Sequence, residues 1–256
     1  MKKYRYLLCC LFSFCIISCY ELNDDIIINQ NGSGRYASQI DLSALIEMMQ
    51  SFAGEEELTK GGLDRAIDTV IYFKDAMDSV SDLSVVERNV LNKGKMHLVM
   101  NIREKVFKAD MDYPFANYEE LQFLMSGAGS GMSDVFKKVF NPPGNDSLPE
   151  NPTPDAPMEN FNAIYDVVAK DGQISKKINK SRLQVLLEKP EMGQMKELTN
   201  SGLEILYSAT ITLPRPLKNS SNSLVQVSPD KKTLTFKYNM LDILTKPESF
   251  DYSFEF

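Results

Sequence analysis

A mixed α+β fold is what this 256-residue sequence predicts: an antiparallel sheet built from an N-terminal hairpin and C-terminal strands, with a helix-rich middle segment. Three observations predict it. Strand-like runs flank Asn31-Gly32 early in the chain and Lys170-Asp171-Gly172 later, and both dipeptides are hairpin signals. Apolar residues recur at helical spacing through much of the stretch from Leu42 to Phe140. Strand-like runs then dominate the tail, with no alternating strand–helix rhythm of the kind that builds a parallel sheet. A composition of 43% hydrophobic and 25% charged residues belongs to a folded globular chain and excludes wholesale disorder.

Residues 19–25 read as a short tether. Ile26, Ile27 and Ile28 enter the first hairpin, and Tyr36 and Ile40 leave it. Asn29, Asn31 and Gly32 have a spacing seen at the start of calcium loops, but no acidic ligand or closing Glu follows, so a turn is expected. Asp41 or Ser43 is placed to cap a helix carrying Leu42, Leu45, Ile46, Met49 and Phe52. A second helix is expected from Leu63, with Ile67, Val70 and Ile71 on one side and Asp64, Asp68, Asp75, Asp78 and Asp82 on its solvated faces. A third, short helix is expected from Ser84 to Asn92.

From Met96 to Asp112 a single long strand is favoured, broken by Tyr113-Pro114-Phe115. Helices follow at Tyr118–Met125 and Asp134–Phe140. Residues 142–157 hold six of the twelve prolines and read as an extended linker or loop, so the chain divides into 26–141, 142–157 and 158–256. Beyond the second hairpin, helices are expected at Leu183–Leu187 and Met192–Leu198. Strands are expected at Leu203–Leu213, Leu224–Val227, Thr233–Tyr238 and Phe250–Phe256, interrupted by a short helix-like piece at Leu241–Leu244. The first hairpin is expected to join these last strands in one sheet, with 42–157 as an insertion; two consecutive domains split at the prolines are the alternative.

The first 18 residues are an address. Lys2, Lys3 and Arg5 precede an apolar run from Tyr6 to Ile17 broken only by Ser13, which is too short to cross a hydrocarbon core of roughly 30 Å. Ile16-Ile17-Ser18-Cys19 resembles the lipobox of bacterial lipoproteins: an aliphatic residue three before the Cys, a small residue just before it, then the Cys. Ile17 departs from the smaller residue usual there. The resemblance implies cleavage between Ser18 and Cys19 and lipid attachment, with palmitate-type acylation, at Cys19. Cys9, Cys10 and Cys15 would leave with residues 1–18, so no disulfide or thiolate metal site would survive. Removing Lys2, Lys3 and Arg5 leaves 25 basic residues against 35 acidic ones, a net charge of -10.

Chemistry-bearing motifs are few. His97 is the sole histidine, so histidine-ligated catalytic zinc is excluded and a nucleophile–histidine device has one candidate without a glycine elbow. Gly127 to Gly131 lacks both the dinucleotide fingerprint, with Met132 where its last Gly belongs, and the Lys-Ser/Thr of a phosphate loop. The acidic balance argues against nucleic acid as a partner. Met48, Met49, Met96, Met100, Met192 and Met195 suit core filling, or else an adaptable binding surface. Phe250, Tyr252, Phe254 and Phe256 alternate like one face of a core strand, or like an edge that pairs with a partner.

The strand-rich tail, with Thr210–Pro214 ahead of its last hairpin, also resembles LppM-like envelope lipoproteins over about half the chain, a likeness that implies no catalytic residues. The expectation is therefore a non-catalytic, lipid-anchored interaction or accessory module of the cell envelope, most readily at the outer membrane, using no cofactor and meeting another envelope protein through the proline segment or final strand. A hydrophobic-ligand module with a Met- and Phe-lined pocket and a polysaccharide hydrolase using a carboxylate pair are the rivals.

Overall fold

Period-two alternation turns the N-terminal residues into neighbours across a sheet. In β1 (Cys19–Ile28), Leu22, Asp24, Ile26 and Ile28 are buried while Glu21 and Ile27 face out. β2 (Gly34–Asp41) returns antiparallel, with Ile26 opposite Tyr36 and Ile28 opposite Gly34. The turn works as its dipeptide demands: Gly32 has φ +80°, and the Asn29 N–H donates to the Ser33 carbonyl at 2.8 Å. Residues 19–25 are thus not a tether. Each of them pairs along the strand Glu204–Thr212, from Cys19 against Glu204 to Asp25 against Thr210. The acidic surface of that stretch hid its alternation, in which Leu22 and Asp24 occupy the inner phase.

This computed structural model describes residues 19–44, 46–47, 50, 66–75, 83–127, 163–189, 192–193 and 204–256. The signal segment, the helix expected at 134–140, the proline segment 142–157, residues 194–198 and most of the 127–131 glycine run lie outside them.

Twelve strands and three α-helices are present among the described residues. The larger sheet has eight strands in the order β10-β11-β8-β1-β2-β5-β4-β3. Its members beyond the first hairpin are β3 (Ile67–Tyr72), β4 (Lys95–Asn101), β5 (Val106–Phe115), β8 (Glu204–Thr212), β10 (Gln226–Val227) and β11 (Thr233–Asn239). Its one parallel pair is β1 with β8. The smaller sheet runs β6-β7-β12-β9, from β6 (Tyr165–Lys170), β7 (Gln173–Ile178), β9 (Asn219–Ser220) and β12 (Tyr252–Glu255). The class is α+β as expected, and mostly sheet. The first hairpin does join the C-terminal strands, but the middle of the chain supplies three strands to that same sheet as well as helices.

Two expected elements took another form. The helix expected from Leu63 is, over Ile67–Tyr72, strand β3. Thr69, Val70 and Ile71 are β-branched, and pairing with β4, Ile71 opposite Met96, overrides the i, i+3, i+4 apolar pattern. The carboxylate row goes with it: Asp68 sits on a strand, beside His97. The single strand from Met96 is two, folded back at residues 102–105. No Gly or Pro marks that turn; Asn101 accepts the Glu104 N–H at 3.2 Å and Lys105 takes φ +58°. Pro114 lies inside β5, past the last residue that β4 pairs, where one side of the strand has no ladder to break.

α1 (Val85–Lys93) starts at a capping box, Ser84 accepting from Glu87 N–H and the Glu87 carboxylate accepting from Ser84 N–H. α2 (Tyr118–Met125) is capped by Asn117, and α3 (Lys180–Leu187) by Asn179. Glu120, buried in α2, is fully engaged: it takes the Ala116 N–H at 2.7 Å and Lys93 of α1 at 3.1 Å. Residues 43, 44, 46, 47 and 50 are helical as expected, with Asp41 accepting the Ser43 N–H. Two 3-10 helices, Met240–Leu244 and Pro247–Phe250, close the end of the sheets nearest Cys19.

The core fills the space between the sheets. Ile26, Tyr36, Met111, Ile211 and Phe236 of the larger sheet share one cluster with Ile174, Tyr252, Phe254 and Phe256 of the smaller and with Leu121 of α2. A second cluster of Leu22, Ile205, Leu183, Leu241, Ile243 and Phe250 plugs the Cys19 end. Each fully buried Leu, Ile or Phe contributes about 1.5–3 kcal/mol. The larger sheet's other face is polar, with Arg35 at 2.6 Å and Lys95 at 3.7 Å from Asp112 and Lys108 at 3.1 Å from Asp41.

Candidate functional site

The residues singled out from sequence do not converge. Cys19 opens β1, and Ser18 lies outside the described residues. His97 stands on the polar outer face of β4, its Nε2 2.8 Å from an Asp68 carboxylate that is itself mostly exposed. Such a pair, open to water, is worth under ~1 kcal/mol and has no nucleophile in it. Met96, Met100 and Met192 are buried, which is core filling; the side chains of Met48, Met49 and Met195 lie outside the described residues. The final strand's aromatics are interior: Phe254 and Phe256 are buried, and β12 lies between β7 and β9. That overturns β12 as a docking edge, because both of its ladders are taken. Among the described residues no three His, Cys, Asp or Glu side chains gather as a metal site, and no helix is long and apolar enough to cross a membrane.

The site that does form is centred on other residues. Between the sheets stand Asp24 of β1 and Lys176 of β7, both on inward positions of their strands. Lys176 takes its place in the series Ile174, Lys176, Ile178, opposite Tyr252 on one side and Val167 on the other. A cation at an in-phase position is the signal that would have disclosed it. Asp24 likewise interrupts Leu22, Ile26 and Ile28.

Tyrosines surround both charges. One Asp24 oxygen, Oδ2, accepts the Tyr36 hydroxyl at 2.8 Å and the Tyr207 hydroxyl at 2.6 Å. The Lys176 Nζ lies over the Tyr165 ring, 4.4 Å from its centroid. Tyr207 and Tyr238 face each other across β8 and β11 with centroids 4.9 Å apart, and Phe250 meets the Tyr238 ring edge-on at 4.3 Å.

Burial sets the proton affinities here. Removal from water pushes the Lys176 amine down to about 8, against a smaller opposing pull from Asp24. Burial first, then the Asp24 charge, pushes the Tyr36 and Tyr207 hydroxyls well above the ordinary tyrosine value. Tyr165, Tyr238 and Tyr252 are raised as well, again chiefly by burial. At neutral pH the phenols of the cluster are neutral and the Lys176 amine is chiefly protonated.

Next to the amine is a small cavity of about 20 Å³, lined by Tyr165, Lys176, Tyr207, Tyr238, Met240, Ile243 and Phe250. Met240, Ile243 and Phe250 of that lining belong to the two 3-10 helices. Chemically it is a place for one small guest that meets a cation and hydroxyl groups.

No family model matches the chain. No curated protein matches it either. Among solved structures, the folded domain of LppM from Mycobacterium tuberculosis is similar at a TM-score of 0.34 and 7% identity, over 92% of this chain and 88% of that one. A likeness at that level carries no argument about fold or function.

Proposed function

We propose that the chain is a lipid-anchored lipoprotein of the cell envelope, attached through Cys19 and serving another envelope protein as a non-catalytic accessory module. The observation that carries the reading is the N-terminal run: Lys2, Lys3 and Arg5, twelve largely apolar residues, then Ser18-Cys19. Two or more acyl chains would make the attachment effectively permanent. The outer membrane is the placement proposed. A hydrophobic-ligand role draws no support from the inter-sheet cavity, since about 20 Å³ holds nothing the size of an acyl chain.

Metabolic labelling with a clickable palmitate analogue tests the anchor. Wild-type protein is expected to take up label and Cys19→Ala to accumulate as an unlabelled precursor; label on the variant would refute the assignment. Affinity capture of the intact protein from crosslinked envelopes tests the accessory role, and a stoichiometric envelope protein in the eluate is the expected result.

A further inference from the structure

We propose that β3 is a pairing edge, at which a second copy of this chain adds its own β3 antiparallel about a two-fold axis through Val70, continuing the larger sheet from one molecule into the other. Three observations carry it. The first is the state of the edge. β3 ends the larger sheet, and among the described residues no strand lies beyond it. Its ladder to β4 uses alternate residues. The Phe73 N–H donates to the Gly94 carbonyl, so Ile67, Thr69 and Ile71 turn their backbone groups toward β4, and Asp68, Val70 and Tyr72 turn theirs outward. The same three residues are open to water: Val70 is 48% and Tyr72 49% exposed, and the Asp68 side chain 78%.

The second is that nothing blunts this edge. The other outer strands are short or guarded: β9 and β10 have two residues each, and β6 has α2 against it, with the Gln122 side chain accepting the Ala169 N–H at 3.1 Å. The six residues of β3 include no Pro, no Lys and no positive φ. Sheet proteins that stay single protect an edge of that length, and one left open is a template for another strand.

The third is self-complementarity. With the axis at Val70, Val70 faces its own counterpart, Thr69 faces Ile71, and Asp68 faces Tyr72, so each outward-turned backbone meets another outward-turned one. β-branched side chains meet at the centre. Charges match at the ends: the Lys74 Nζ lies 5.5 Å from the Tyr72 ring centroid and is carried with that ring to the Asp68 carboxylate of the second copy. Val70 and Tyr72, half-exposed apolar groups on an otherwise polar face, thereby gain neighbours. Pairing consumes β3 on both sides and leaves the two-residue β10 as the outer strand, so the assembly closes at two copies. The axis reverses strand direction, and the two Cys19 ends point opposite ways. The pair is therefore one that copies in solution or on facing surfaces can form, and it does not rest on Cys19 carrying lipid.

The test uses the full chain in detergent. Light scattering from about 1 μM to about 1 mM protein should show the protein mass rise from one chain toward two. Val70→Lys changes an exposed side chain and should keep the circular-dichroism spectrum, yet hold the mass at one chain, because two like charges would meet at the axis. Val70→Cys reads the register directly. Residues opposed in that way have Cα atoms roughly 5.5 Å apart, within disulfide reach, so mild oxidation should give a covalent dimer well in excess of wild type, which carries the same other cysteines. Tyr72→Cys faces Asp68 rather than itself and should give no more dimer than wild type. A wild type that stays one chain throughout, a dimer unmoved by Val70→Lys, or equal crosslinking of Val70→Cys and Tyr72→Cys would overturn the pairing. If Val70→Lys fails to fold, the two cysteine variants decide between the same outcomes.

Discussion

Replacing Lys176 with methionine should make the protein more stable at neutral pH and change the shape of its pH profile. The amine falls from an ordinary 10.5 to about 8 on folding. That shift is already net of the attraction from Asp24. At about 1.4 kcal/mol per pH unit, carrying the buried charge costs the folded state about 3 kcal/mol. The sign follows from the proton count. Below about pH 8 both states hold the proton, so the whole cost is felt. Between about 8 and 10.5 the unfolded chain still binds a proton that the native state has released, so stability rises with pH. Above pH ~10 the raised phenols act the other way: Tyr36, Tyr165, Tyr207, Tyr238 and Tyr252 ionise when unfolded but not when folded, and stability falls. Maximum stability should therefore lie near pH 9–10, above the range of ~5–8 where most proteins peak. Methionine, of similar length and without charge, should remove the rise between pH 7 and 9 and add up to about 3 kcal/mol at pH 7. Urea unfolding followed by circular dichroism, in buffers from pH 6.5 to 11, reads both effects. A wild-type profile that declines steadily from pH 7, or a variant less stable than wild type at pH 7, would refute the account of Lys176 as a destabilising buried cation.

Tyr207→Phe should cost about 1–3 kcal/mol, since Asp24 loses one of two donors. Combined with Tyr36→Phe it should depart from additivity, because both hydroxyls share Oδ2, and a double-mutant cycle in urea measures the coupling. Gly34→Ala should disrupt the first hairpin: the added Cβ would stand 1.9 Å from the Ile27 carbonyl oxygen and 2.4 Å from the Phe115 ring. A loss of more than ~3 kcal/mol is expected, and near-wild-type melting would show that the backbone can yield there.

How far the fold could be read from sequence depended on whether local chemistry and tertiary pairing agreed. Both hairpins were legible because Gly32 and Gly172 sit at φ +80° and +79°, a conformation their dipeptides announce. α1 and α2 were legible because Ser84 and Asn117 cap them as their positions suggest. β3 was misread because Ile67, Val70 and Ile71 fit a helical face as well as a strand, and only the non-local ladder with β4 decides. The 102–105 turn carries no Gly or Pro, so its left-handed Lys105 left no mark in the sequence. The candidate site was in principle legible, since Asp24 and Lys176 each break an apolar alternation. That they face one another is a property of how β1 and β7 stack, which no local pattern encodes.

The same stacking bears on how an anchored molecule would stand. Had residues 19–25 been a flexible tether, a coil of that length would let the body wander by roughly 15 Å. Instead Cys19 pairs with Glu204, and Leu22 belongs to the apolar plug that includes Ile205, Leu241 and Phe250. The 3-10 helices closing that plug lie at the same end, tied to it by the Asn239 side chain accepting the Ile205 N–H at 3.2 Å. An acyl group on Cys19 would therefore bring the plugged end of the sheets against the lipid surface, with the Asn29–Ser33 turn pointing away. Were the acidic body held that close to an anionic surface, electrostatics would oppose a lying-down pose and the lipid alone would have to hold the contact. An upright stance would leave the larger sheet's outer face, with Arg35 and Lys95 around Asp112 and His97 beside Asp68, turned to solvent rather than to lipid.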